Sequence, residues 1–384
     1  MSVPLLQLTV SKKALLSTSL ALLGGLVIMV PQAALAQMQV TPSQPSDAAP
    51  AQPGSQSNDD RLNTLLEQGR KLVESGKFDD AIATYQQAVS MAPDNAKIYS
   101  AIGFLEARQN NFQAAIDAYE KAITLDANNP DFFYALAFSK ANLGDNAGAA
   151  DAYRRATQLR QNDAQAYLGL GVVLARQGDF DGAIAAYRQV LSFEPKNGQV
   201  YESIGSAYIQ QGHYQEALES LQKAAELEPR RGSVQLNLGV ALLNLGNTAA
   251  GLEALQKAAE LEPKNGVIHL QLGDIYRAQG NVQGAASEYE EAVSVQPNLK
   301  EAQDALGSLY MEQGDFLRAI VAYREVTRLA PQDPDAYYNL GVALAQRGRT
   351  QEAIDTLQQA GNLYKQQNNA DGVTKVKKQL DAIK

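Results

Sequence analysis

The sequence predicts an all-α solenoid, and three observations predict it. A glycine recurs every 34 residues: A-I-G-F at Gly103, L-G-L-G at Gly171, S-I-G-S at Gly205, N-L-G-V at Gly239, Q-L-G-D at Gly273, A-L-G-S at Gly307 and N-L-G-V at Gly341, with one double step of 68. Nine units of 34 laid from Leu62 end at Gln367 with no insertion or deletion. Inside each unit the apolar residues fall at helical spacing. A fixed period of this size means one supersecondary unit that buries its apolar face only by stacking on its neighbours.

The fourth unit, residues 164–197, shows the elements. Tyr167, Leu170, Gly171 and Leu174 lie three, four and seven residues apart, one face of a first helix (A). Gly178 stops that helix; Ala183, Ile184, Tyr187, Val190 and Leu191 repeat the spacing for a second helix (B), and Pro195 ends it. Position 8 of the unit is Gly in eight units and Ala137 in the third, while position 20 is Ala in eight and Gly251 in the sixth. Small residues at both places predict close approach of helix to helix. Position 15 is Gly from Gly76 to Gly348 except at Asn110, the other residue that tolerates the left-handed conformation of a helix C-cap. Position 32 is Pro in six units; Ala127, Gln161 and Lys365 stand there in units two, three and nine. The B helices of units two and three are therefore expected to run on or turn differently, and the last B helix to be longer.

An aromatic at 4, Leu-Gly at 7–8, Tyr at 11, Ala at 20, an aromatic at 24, Ala at 27 and Pro at 32 resemble the tetratricopeptide repeat (TPR) family. The resemblance covers 306 of 384 residues. It implies a right-handed superhelix of nine helix-turn-helix units whose A helices line a concave groove with positions 2, 5, 6, 9 and 12.

The chain ends read differently. In residues 1–36, Lys12 and Lys13 precede an apolar run from Ala14 to Val30, then Pro31 and Ala34-Leu35-Ala36, which predicts an export signal cleaved after Ala36 and a periplasmic mature chain. The rival is an uncleaved anchor; the run of 17, broken by Ser17-Thr18-Ser19 and Gly24-Gly25, is short of the ~20 apolar residues of a spanning helix. Residues 37–61, rich in Pro, Ser and Gln, are expected to be a disordered tether. After the repeats, Asp371 can cap a last helix in 368–384, in which Val373, Val376, Leu380 and Ile383 share a face and Lys375, Lys377 and Lys378 lie elsewhere. A terminal repeat needs such a polar-backed cap.

Composition narrows the chemistry. The absence of Cys excludes disulfides, thiolate metal sites and a lipid-anchored lipoprotein. The formal charge of −9 becomes −11 when the two leader lysines are removed, a poor surface for nucleic acid and a better one for cations and basic protein segments. Catalytic templates are not found. Of the two histidines, His213 falls in the turn of unit five, and His269 replaces the aromatic at position 4 of unit seven and reads as a packing residue. Gly169-Leu170-Gly171 lacks the third glycine of a dinucleotide fingerprint and sits inside a helix, so it reads as repeat packing. Asp179-Phe180-Asp181-Gly182 begins like a calcium loop but continues with Ala and Ile.

Binding remains, and the resemblance says where. Groove positions carry Phe104, Tyr134, Phe138, Leu168 and Val172 in units two to four, an expected apolar strip. Units five to nine carry Glu202, Asn237, Asp274, Glu301, Asp304, Tyr338 and Asn339, an expected acidic and polar strip with Glu312 at its edge. Such a surface suits an extended peptide or a helix. Asn237 and Asn339 lack the surrounding Lys and Arg of the family's dicarboxylate clamp. Asp274, Glu301 and Asp304 could converge on a hard divalent ion; the alternative is a solvated acidic face. The layout of leader, nine uninterrupted units and acidic character further resembles periplasmic TPR assembly factors of photosystem II. That resemblance implies binding of the D1 precursor, support of its processing and Mn²⁺ as cargo. A general envelope scaffold for pilus, polysaccharide or outer-membrane assembly fits the same layout.

Overall fold

The computed structural model describes residues 58–383, and over that span the chain is helical throughout, with nineteen α-helices and no strand. The first is α1 (Asn58–Glu74), followed by α2 (Phe78–Met91), α3 (Ala96–Arg108), α4 (Phe112–Leu125), α5 (Pro130–Asn142), α6 (Asn146–Leu159), α7 (Ala164–Gln177), α8 (Phe180–Phe193) and α9 (Gly198–Gln211). Then come α10 (Tyr214–Leu227), α11 (Gly232–Asn244), α12 (Thr248–Leu261), α13 (Gly266–Ala278), α14 (Val282–Val295), α15 (Lys300–Glu312), α16 (Phe316–Leu329), α17 (Pro334–Gln346), α18 (Thr350–Gln366) and α19 (Ala370–Ile383). From unit two onward every A helix begins at position 1 of its repeat, and every B helix begins at position 17. The 34-residue period is thus one helix pair.

The expected leader and most of the expected tether lie outside the described residues. The tether's last residues, 58–61, are the first turn of α1 rather than part of a linker.

Local chemistry sets the helix limits. Asp145, Asp179, Asn247, Asn281 and Asp315, all at position 16, accept a hydrogen bond from the backbone N–H three residues on. At position 34, Asn95, Asn129, Asn265 and Asp333 cap A helices by accepting from the N–H two residues on, and Asp163 from the one three residues on. Each such cap contributes about 1 kcal/mol. At the other end of the A helix, Gly178 has φ +81° and Asn110 φ +64°, the left-handed turn that the sequence requires at position 15. The missing prolines of units two and three change nothing: α4 and α6 stop at Leu125 and Leu159, the place where prolyl units stop. The extended backbone of the next residue, Asp126 or Arg160, ends the helix without help from a ring. The last B helix, α18, does run to 17 residues, as Lys365 in place of Pro allows.

The small residues do permit close approach of the A and B helices: in the sixth repeat a Cβ on Gly239 would lie 3.2 Å from the Gly251 carbonyl oxygen, and one on Gly251 3.2 Å from that of Gly239. The space over position 8 is filled by the side chain at position 24 of the same repeat: a Cβ on Gly307 would stand 2.8 Å from Tyr323 Cε1, and one on Gly341 2.6 Å from Leu357 Cγ. In the third repeat position 8 is the buried Ala137. The ring of Tyr153 packs over Gly169 of the next A helix and edge-on to Tyr134 at 5.6 Å. Gly169 is therefore repeat packing, as its setting predicts.

The chain forms two compact units, residues 58–211 and 212–383. In the first, each helix from α1 to α8 packs on its successor, and α3 meets α5 and α5 meets α7. Its core holds fully buried alanines at position 20 (Ala81, Ala115, Ala149, Ala183) against the position-24 tyrosines. In the second, α10 to α19 pack in the same order, with α13 against α15 and α17 against α19. The apolar face of α19 closes the stack as expected: Val376 is buried, with Val373, Leu380 and Ile383 half-buried beside Tyr364 and Leu357. Its cap is Asn369, whose side chain accepts from the Gly372 N–H at 2.9 Å, and not Asp371, which is exposed. Among the described residues no helix is long and apolar enough to cross a membrane.

Candidate binding face of the A helices

In residues 58–211 the A-helix face is closed by its own side chains. Phe104, Tyr134, Phe138 and Val172 are buried, and Leu168 is half-buried against the same core. Phe138 meets Phe112 edge-on at 6.3 Å, and burial pushes the Tyr134 hydroxyl's pKa upward. Large side chains at positions 5 and 9 lean onto neighbouring helices because packing there removes more apolar surface from water than pointing outward would. The expected exposed apolar strip is thus absent. Glu202, too, is buried.

In residues 212–383 the A-helix face keeps polar groups partly open. Asp274 on α13 accepts a hydrogen bond from Tyr289 Oη at 2.6 Å, and Arg277, one turn on, donates to Ser308 Oγ of α15 at 3.1 Å and pairs with Glu312. Asp304 accepts from Asn339 Nδ2 of α17 at 3.5 Å, which places α15 beside α17. Lys300 pairs with Asp333 at 2.8 Å. Burial raises the pKa of both Asp274 and Asp304; the Tyr289 hydrogen bond opposes this at the first, and the Lys300 charge at the second. Asn237 on α11 is buried.

The end of this face carries a cluster joining three helices. Tyr364 of α18 donates its hydroxyl to Asp335 of α17, and Lys375 Nζ of α19 lies 3.8 Å from Asp335 Oδ1. The same ammonium stands 3.9 Å from the centroid of the Tyr338 ring. Tyr338 is half-buried, and burial raises its pKa.

The comparisons agree with this architecture. The C-terminal TPR domain of cilia and flagella-associated protein 70 matches residues 30–267, and two tetratricopeptide repeat families match residues 273–314 and 305–367. The chain belongs to the tetratricopeptide repeat family. Among solved structures, a TPR protein from Parabacteroides merdae aligns at 18% identity over 65% of this chain and 98% of its own, with a TM-score of 0.50. The Cut9–Hcn1 hetero-tetramer of the APC/C aligns at 18% identity over 73% of this chain and 55% of that one, also at 0.50; both show the fold alone. A MamA protein is 30% identical over 44% of this chain and 92% of its own, at a TM-score of 0.43. No curated protein matches the sequence.

The TPR face does not assemble the divalent-ion site. Asp274 is engaged by Tyr289, Asp304 by Asn339, and Glu301 points to solvent. Among the described residues no group of three His, Asp or Glu side chains is placed to hold a metal. The helical phase placed the three on neighbouring A helices, but Asp274 and Asp304 turn to local partners and Glu301 to solvent. Asp274, Asp304, Tyr338 and Asn339 are half-buried on the A helices α13, α15 and α17. His269 packs as predicted and is also a bridge, with Nδ1 2.8 Å from Glu288 Oε2 and Nε2 3.1 Å from the Pro263 carbonyl.

Sequence reasoning missed Lys375, which it assigned to the solvated back of the last helix. It also missed a recurring link: position 11 of one TPR meets position 25 of the TPR before it, as Tyr310 Oη to Glu290 at 2.6 Å and Arg188 to Tyr208 Oη at 2.8 Å. The signal for the second was available in the constant 20-residue offset. For the first there was none.

Proposed function

We propose that this TPR protein is an exported, non-enzymatic scaffold that holds a segment of a partner protein on the A-helix face of residues 212–383. The observation that carries the reading is the row of partly exposed, differently charged groups on successive A helices: Asp274 and Arg277, Asp304 and Ser308, Asn339 and Tyr338. Such a row offers acceptors and donors at helix-to-helix intervals, which suits an extended or helical segment. Repeat proteins of this kind in general serve as scaffolds.

The export signal and the overall layout support a finer reading. They resemble the processing-associated TPR protein of cyanobacteria, which points to the D1 precursor of photosystem II as client. Manganese delivery is not part of the reading, because Asp274, Glu301 and Asp304 hold other partners or face solvent.

The test is site-specific photocrosslinking in the native cell, with a benzoylphenylalanine placed at Val342 on the A-helix face and, separately, at Val321 on the B-helix face. We expect crosslinks to a D1 precursor from position 342 and none from 321. Crosslinks from 342 only to pilus, polysaccharide or outer-membrane components would replace the photosystem reading with the general envelope scaffold. Equal products from both positions, or none from 342, would overturn the groove reading.

A further inference from the structure

We propose that the last repeat carries a receptor site for a lysine side chain, formed by the Tyr338 ring and the Asp335 carboxylate, and that Lys375 of the C-terminal helix fills it in cis. The proposal rests on the reading that the A-helix face takes protein segments, and it names the chemistry of one subsite.

The geometry shows what the site accepts because a lysine already occupies it. The Lys375 ammonium lies 3.9 Å from the Tyr338 centroid, well inside the roughly 6 Å reach of a cation–π contact. It lies 3.8 Å from Asp335 Oδ1, so one face of the charge meets a π-system and another a carboxylate. Asp335 is held in place by the Tyr364 hydroxyl and, at its backbone N–H, by Asp333 Oδ1 at 3.0 Å. Nearby Lys300 is engaged with Asp333 and does not compete. Lys375 differs from its neighbours in its partners: Lys377 and Lys378, exposed like it on the same helix, make no ion pair or ring contact.

Packing does not force this placement. The apolar face of α19, through Val376, fixes the helix on Tyr364 and Leu357. The Lys375 side chain remains about half exposed at 49%, so it can swing out while the helix stays docked. The site is thus self-occupied but accessible. A partner segment that presents a lysine must displace Lys375, and its apparent affinity is reduced by the fraction of time the cis lysine is seated. The acidic chain, at −9, favours basic segments of this kind.

The experiment uses the full chain and a fluorescein-labelled decapeptide of alternating Gly and Lys, with a norleucine counterpart, followed by fluorescence anisotropy at physiological salt. Lys375→Ala should bind the lysine probe roughly two- to fivefold more tightly than the parent, the worth of one exposed cation–π competitor. Lys378→Ala, which makes the same change in net charge, should leave the affinity unaltered. The gain should vanish in the double variant Lys375→Ala/Tyr338→Leu and should not appear with the norleucine probe. Lys375→Gln keeps the stem and the helix and should move the affinity in the same direction, which separates the effect from any loss of folding. Equal affinities for Lys375→Ala and Lys378→Ala, or a gain that survives in the double variant, would overturn the proposal. If Val342 crosslinks a client while Lys375→Ala shows no gain, this subsite fails and the scaffold reading stands. If position 342 captures nothing, the scaffold reading fails whatever the probes do.

Discussion

Tyr153 and Tyr289 hold the same place in their repeats and have opposite surroundings. The Tyr153 hydroxyl is buried with no hydrogen-bond partner, whereas that of Tyr289 donates to Asp274 at 2.6 Å. An unsatisfied buried hydroxyl costs about 1–3 kcal/mol, so Tyr153→Phe should be neutral or stabilise by up to about 1 kcal/mol in urea denaturation. Tyr289→Phe strips a half-buried carboxylate of its donor and should destabilise by about 1–2 kcal/mol in the same assay. The carboxylates give a pH signature. Burial raises the pKa of Asp274 and Asp304, so the folded chain binds their protons more tightly than the unfolded chain. Their contribution is present below the unfolded carboxyl range and is lost as pH rises through the folded values. Asp274→Asn, which is neutral at every pH, should therefore melt higher than the parent at about pH 7. The advantage should disappear near pH 3.5.

At the scale of the element, α19 is where sequence and structure both assign a cap, though they differ on its details. The apolar spacing of Val373, Val376, Leu380 and Ile383 was legible because it follows the helical period. The N-cap was misplaced from Asn369 to Asp371, since two capping residues stand near each other and only the backbone decides between them. Ending the chain after Gln367 should uncover Tyr364 and Leu357 and cost about 1.5–3 kcal/mol for each side chain re-exposed. Limited proteolysis should then cut first within α18, and a cleavage pattern identical to that of the full chain would contradict the capping role. The B helices of repeats two and three teach the same lesson in reverse. Ala127 and Gln161 remove the proline signal, yet the helices end on schedule because the cap of the next A helix and the packing of that helix already fix the turn.

At the scale of the whole molecule, packing within each unit joins a helix to its successor and to the next helix of its own layer. Stability in such an array is a sum of local terms. A Cβ on Gly169 would overlap the Tyr153 ring, whose Oη would lie 2.7 Å away, and Tyr153 is fully buried with little room to move. Gly169→Ala should cost about 1–3 kcal/mol as overpacking. Hydrogen exchange should accelerate in α5 to α7 and stay unchanged in α15 to α18. Uniform acceleration over the described residues would show a cooperative block instead of a nearest-neighbour array.

The sequence by itself determined the family, the 34-residue period, most helix starts and the left-handed turns at Gly178 and Asn110. These depend on local rules that a period of 34 repeats identically, such as capping, φ preference and apolar spacing. Only the tertiary structure decided which groove positions are open. Phe104, Tyr134, Phe138 and Val172 share the helical phase of Asp274, Asp304 and Tyr338, and phase cannot say whether a side chain finds a neighbour to bury it. That outcome depends on the size of residues in the neighbouring repeat, as Tyr153 shows by packing over Gly169 of the next A helix. The same dependence on distant partners gave Asp274 to Tyr289 instead of a metal, and placed Lys375 over Tyr338.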